Sequence, residues 1–80
     1  MSGFSHDELK AFLHLAGSLR FAQSAKALHM SPSALTRCIQ RIEDDLGQAV
    51  FERTKRSVVL TRAGEIFREH ARAQLAAHAR

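Results

Sequence analysis

The sequence predicts a mainly α fold, with three short helices, a two-stranded β hairpin and a longer final helix. Apolar residues recur at three- and four-residue spacing over residues 5–17, 21–29, 31–46 and 61–80. Ser5, Ser31 and Thr61 stand where three of those segments begin, as residues whose hydroxyls accept the free N–H groups of a first helical turn. Between residues 50 and 60 the helical period lapses, and Val, Phe and Leu flank a short basic stretch, the pattern of two strands joined by a turn.

In chain order, Ser5 and Glu8 have the spacing of a capping box, and Leu9, Phe12, Leu13 and Ala16 then share one face up to Gly17-Ser18, which punctuates. Met1 to Phe4 is expected to be loosely ordered. Phe21, Ala22, Ala25 and Leu28 make a second, short amphipathic helix ending near His29, with Ala22 and Ala25 small where a crossing helix comes close. Only His29-Met30 separates it from Ser31, so the third helix must leave at a steep angle, and the pair forms a helix-turn-helix.

The third helix is the most informative stretch. Ser31 caps it, and Pro32 fits the first position, where its missing N–H costs nothing. At about 100° per residue, Leu35, Ile39, Ile42 and Leu46 fall on one side, with Ser33, Arg37 and Gln40 nearly opposite. Small side chains near the N-terminus admit a close approach to a groove, and Arg37, one turn on, can reach a phosphate or the acceptor edge of guanine. This is the pattern of a DNA recognition helix. Gly47 is expected to end it, as a residue that can adopt the left-handed conformation.

Val50 to Arg53 and Ser57 to Leu60 are expected strands, with Thr54-Lys55-Arg56 at the tip of a wing whose turn lacks Gly or Asn. Thr61 caps a final helix through Ala63, Ile66, Phe67, His70, Ala71 and Leu75 that reaches residue 80 with no stop signal, so the helix is expected to run on beyond this chain. The domain expectation is a winged helix-turn-helix over 1–60 and a final helix over 61–80.

Arg53, Lys55, Arg56 and Arg62 crowd ten residues without an acid, whereas Glu43, Asp44 and Asp45 cluster at the end of the third helix. That polarity suits a groove-facing helix N-terminus and a wing lying on the backbone or adjacent minor groove. A net charge of +4 on 80 residues favours polyanionic partners, without separating DNA from RNA or an acidic membrane. The lone Cys38 permits no internal disulfide and reads as a small buried hydrophobe. No apolar run is long enough for a bilayer and the N-terminus lacks a secretory pattern, so a cytoplasmic location and no membrane partner are expected. His6, His14, His29, His70 and His78 show no ligand spacing, and no nucleophile turn or phosphate loop is present. Neither enzyme, metal site nor cofactor is expected. The rival reading is a winged-helix protein-interaction module without DNA binding.

The third helix, Glu43-Asp44-Asp45-Leu46-Gly47, Phe51-Glu52-Arg53 and Leu60-Thr61-Arg62-Ala63-Gly64-Glu65 together resemble the N-terminal domain of LysR-type transcriptional regulators. The resemblance implies a winged helix-turn-helix, a linker helix pairing two subunits, and an effector-binding domain outside these residues that would take a small molecule. It puts Pro32, Ser33, Thr36 and Arg37 at base edges or nearby phosphates, and Arg53 and Arg56 on the backbone or minor groove. The family commonly has Gln at positions 32 and 38 and Ser at 36, where this chain has Pro32, Cys38 and Thr36. Loss of the Gln amide removes a bidentate reader of adenine, leaving the Pro32 ring against a thymine methyl and the Ser33 hydroxyl as replacements. The candidate DNA-binding set is Ser31, Pro32, Ser33, Thr36, Arg37, Gln40, Arg53, Lys55, Arg56 and Thr61.

Overall fold

The computed structural model describes residues 3–78 and runs α1 (His6–Ser18), α2 (Phe21–Ala27), α3 (Pro32–Leu46), β1 (Phe51–Arg53), β2 (Val58–Leu60) and α4 (Arg62–His78). Each cap expected at a helix start is present. Ser5 Oγ accepts from the Glu8 N–H at 3.1 Å while Glu8 Oε1 accepts from the Ser5 N–H at 2.8 Å, closing the capping box of α1. Ser31 Oγ accepts from the Ala34 N–H at 3.1 Å, Pro32 takes the first helical position, and Gly47 closes α3 at φ 72°. Thr61 Oγ1 accepts from the Gly64 N–H at 3.0 Å at the head of α4.

The end of α1 differs from expectation. The helix runs through Gly17-Ser18, and Leu19 takes the left-handed conformation (φ 58°), donating to the Leu15 carbonyl at 2.7 Å. A leucine there costs about 1–2 kcal/mol against glycine. The cost is offset because Leu19 packs against the core and Ser18 Oγ accepts the Arg20 N–H at 3.0 Å, fixing the turn. His29 (φ 58°) makes the corresponding reversal between α2 and α3.

The inward stripe of α2 is Phe21, Ser24, Ala25 and Leu28. Ala22 is exposed and Ser24 is fully buried, so the expectation for Ala22 fails: one residue past Phe21, it lies about 100° off the stripe. Ser24 Oγ meets His14 Nδ1 and Ser18 Oγ, both at 2.6 Å, so this buried hydroxyl is satisfied by two groups of α1.

Phe12, fully buried on α1, forms the centre of the core. Its ring lies 5.4 Å from Phe51 of β1 and edge-on at 4.8 Å from Phe67 of α4. Leu15, Leu35, Ile39, Ile42 and Val50 complete the dry centre. Phe4 packs edge-on against Phe67 at 5.1 Å, so this end of the expected loose segment is anchored, whereas Met1 and Ser2 lie outside the described residues. Met30 and Cys38 are half-buried against the core. Two expected stripes prove narrower. Leu46 is 36% exposed because the last turn of α3 overhangs the core edge, and on α4 Phe67 and Ala71 are buried while Ile66 (61% exposed) and His70 face outward.

The strands pair antiparallel with Phe51 opposite Leu60, Glu52 opposite Val59 and Arg53 opposite Val58, each one residue shorter than expected. Thr54 performs the turn chemistry for which Gly or Asn is usual: its Oγ1 accepts from the N–H groups of Arg56 (3.2 Å) and Ser57 (3.0 Å). The wing is anchored at its base by Glu43, whose Oε2 accepts from Val50 (2.8 Å) and Phe51 (3.2 Å) N–H groups. Gly64 allows α4 to start against this hairpin, since a Cβ there would collide with the Val50 carbonyl oxygen and the Leu60 side chain.

Candidate nucleic-acid interface

The short turn between α2 and α3 leaves Ser31, Pro32, Ser33, Arg37 and Gln40 exposed and Thr36 half-buried along one outer face of α3. Nothing acidic lies in the first turn of α3, and its N-terminal N–H groups add a partial positive charge. Ser31 Oγ, though used as a cap acceptor, keeps its proton to donate; Ser33 Oγ lies 3.3 Å away. Arg37 is not ion-paired among the described residues and lies at the rim of a groove with Ala34, Cys38 and Arg41. Gln40 is partly committed, its Nε2 donating to Asp44 Oδ1 at 3.0 Å, which leaves the amide oxygen and a second N–H.

A second cluster occupies the wing. Lys55 and Arg56 are exposed at the hairpin tip, where Thr54 holds the backbone. Arg53, on the face of β1 that also carries Phe51, lays its guanidinium carbon 4.2 Å from the Phe21 ring centroid. Thr61 stands apart from the other candidates. Its hydroxyl donates to the Ala49 carbonyl at 2.6 Å and accepts from Gly64, so its one proton is spent inside the fold and only a lone pair remains, which a phosphate oxygen cannot use.

Sequence pattern does not mark Glu43, Phe21 or the His14–Ser24–Ser18 chain as supports of the site, because each acts on a segment remote from its own. Arg41, also on α3, is held by Glu8 at 3.3 Å. Burial pushes the Cys38 thiol above its ordinary value of 9.0, the Glu8 carboxylate adds to the rise and Arg41 opposes it, so at neutral pH the group is a neutral thiol.

Two helices joined by a tight turn, the second bare along its outer face and followed by a two-stranded hairpin, define a winged helix-turn-helix protein. The chain belongs to the lysR family of bacterial regulatory helix-turn-helix proteins, whose family model matches residues 6–65. It is thus part of a family of bacterial transcription regulators. It is 56% identical over 68 residues to the HTH-type transcriptional activator IlvY of Salmonella typhimurium, a stretch covering 85% of this chain and 23% of that protein. Against the HTH-type transcriptional regulator TfdT of Cupriavidus pinatubonensis it is 45% identical over 69 residues, covering 86% of this chain and 30% of that protein. The chain therefore spans less than a third of either relative. Among solved structures it superposes on the CbnR DBD–DNA complex with a TM-score of 0.88 and 39% identity, covering 94% of this chain and 86% of that one. Full-length CbnR with its target DNA gives a TM-score of 0.85 at 40% identity, over 91% of this chain and 25% of that one.

Proposed function

We propose that this chain binds specific sites in double-stranded DNA, with α3 in the major groove and the wing on the backbone or adjacent minor groove. The observation that carries the reading is the capped, acid-free N-terminal half of α3, which presents Pro32, Ser33, Thr36 and Arg37 together on an outer face. Ser33 and Arg37 offer donors to base edges or phosphates, and the Pro32 ring and Thr36 methyl suit a thymine methyl. Ser31 and Gln40 extend this face, while Arg53, Lys55 and Arg56 supply backbone neutralisation. Thr61 serves through its cap. That CbnR, 39–40% identical, is found in complex with DNA supports a DNA partner for this chain.

Residues 1–60 form the binding unit and 61–80 the linker helix of a homodimer, which places one α3 in each half-site. Exposed Ile66 and Leu46 line a common groove with Phe4 and Ala63, apolar surface of the kind a subunit seam covers. A small-molecule effector would bind a part of the protein beyond this chain, and the setting is the cytoplasm. Selection of bound duplexes from a random pool tests the reading. Recovery of an inverted repeat is expected; enrichment of nothing, at low salt, would refute it.

A further inference from the structure

Resting on the DNA reading above, we infer that Phe21 is a positioning residue for DNA binding, holding the Arg53 guanidinium in the plane and place from which it meets a phosphate. The ring belongs to the first residue of α2, and Arg53 is the last residue of β1, so the stack ties the wing to the helix-turn-helix. Period-2 geometry puts Phe51 and Arg53 on one face of β1, and both touch the same ring: Phe51 edge-on at 6.4 Å between centroids, Arg53 with its carbon 4.2 Å above the centroid. Phe51 is buried, so the aromatic chain Phe12–Phe51–Phe21 fixes Phe21 from the core side and leaves its outer face to the cation.

Stacking uses the face of the guanidinium, whereas its five N–H donors point outward in the plane. A guanidinium carbon 4.2 Å over the Phe21 ring centroid suits that arrangement, which would leave the edge free for paired hydrogen bonds to a phosphate. Among the described residues Arg53 has no carboxylate partner, since the ion pairs join Arg41 to Glu8, Arg62 to Glu65 and Arg72 to Glu69. A long cationic side chain is thus ordered by an uncharged ring, which restricts its rotamers before DNA arrives and leaves its charge unneutralised.

The test is a double-mutant cycle read by DNA affinity and its salt dependence, using mixed-sequence duplex and the selected site, with unfolding midpoints measured alongside. Phe21→Leu is expected to weaken binding to both duplexes about two- to fivefold and to lower the magnitude of the logarithmic salt slope by up to about 0.9. Phe21→Tyr should restore both, and in an Arg53→Met background Phe21→Leu should cost nothing more. Should Phe21→Leu not fold, Arg53→Lys carries the test, because it keeps the charge and loses the flat stack; binding as tight as that of the unsubstituted chain would overturn the proposal. An equal loss from Phe21→Leu with and without Arg53, or a lowered midpoint with an unchanged salt slope, would also overturn it while leaving the DNA reading intact. Failure of the unsubstituted chain to bind either duplex would remove both.

Discussion

The Glu43 carboxylate crosses from the last turns of α3 and accepts the Val50 N–H at 2.8 Å, with the Phe51 N–H on the same oxygen at 3.2 Å. An acid in a triplet that looks, in sequence, like a solvated charge run thus serves as the anchor of the wing. Glu43→Ala would leave two N–H groups beside buried Val50 and Phe51 without an acceptor. The expected loss is about 1–3 kcal/mol in urea unfolding, with faster amide exchange at residues 50 and 51. An unchanged midpoint would show that water replaces the carboxylate at no cost.

Three glycines should respond differently to alanine. Gly64→Ala drives a methyl into the Val50 carbonyl and Leu60, and should cost about 1–3 kcal/mol or more. Gly47→Ala has open space but a φ of 72°, for a cost of about 1 kcal/mol. Gly17→Ala, inside α1 with nothing within 4 Å, should stabilise by about 0.4–1 kcal/mol. Thermal unfolding of the three variants would show this order, and destabilisation by Gly17→Ala would contradict it.

Cys38 supplies a pH signature. Its thiol value is raised in the folded chain, first by burial and then by Glu8, so the folded state holds the proton more tightly than the unfolded chain. That contribution is fully present below the ordinary value of 9.0 and is lost as pH rises through the higher folded value. Stability of the unsubstituted chain should therefore fall more steeply above pH 9.0 than that of Cys38→Ala, with equal slopes below it. Alkylation at neutral pH should be slower than for an unfolded thiol.

Arg56→Ala and Ser33→Ala divide backbone from base reading. Arg56→Ala should weaken every duplex alike and lower the salt slope by about 0.9. Ser33→Ala should change the ranking among sites, with discrimination of about 1–3 kcal/mol at one position. Equal losses on all sequences from both variants would refute this division.

Ile66→Glu places a charge on the exposed apolar face of α4 while leaving the monomer core untouched. The proposed homodimer should give way to monomer in sedimentation, with the stability of the monomer changed by no more than about 0.5 kcal/mol. A dimer unchanged by this charge would move the seam elsewhere on the surface.

Features set by neighbours along the chain are legible in the sequence. The caps at Ser5, Ser31 and Thr61, the reversal at Gly47 and the polar face of α3 depend on residues within one or two turns. Features set by what packs from afar are not. Whether Ala22 or Ser24 faces inward depends on which part of α1 crosses α2, and Leu46 and Ile66 lie bare because the core ends before the apolar pattern does. Leu19 takes a conformation its type disfavours because the core claims its side chain. The site shows the same division: its α3 half follows from helical angle alone, while the Phe21–Arg53 stack and the spent proton of Thr61 arise between segments distant in sequence.

The run of polar atoms from His14 through Ser24 to Ser18 can be traversed in either direction. With His14 Nδ1 bare, Ser24 donates to it and Ser18 donates to Ser24; with a proton on Nδ1, Ser24 turns to Ser18, and Ser18 to the Arg20 carbonyl at 3.3 Å. Two rotating hydroxyls thus take up the difference in series, and the joint between the first two helices keeps its bonds whichever tautomer the imidazole adopts.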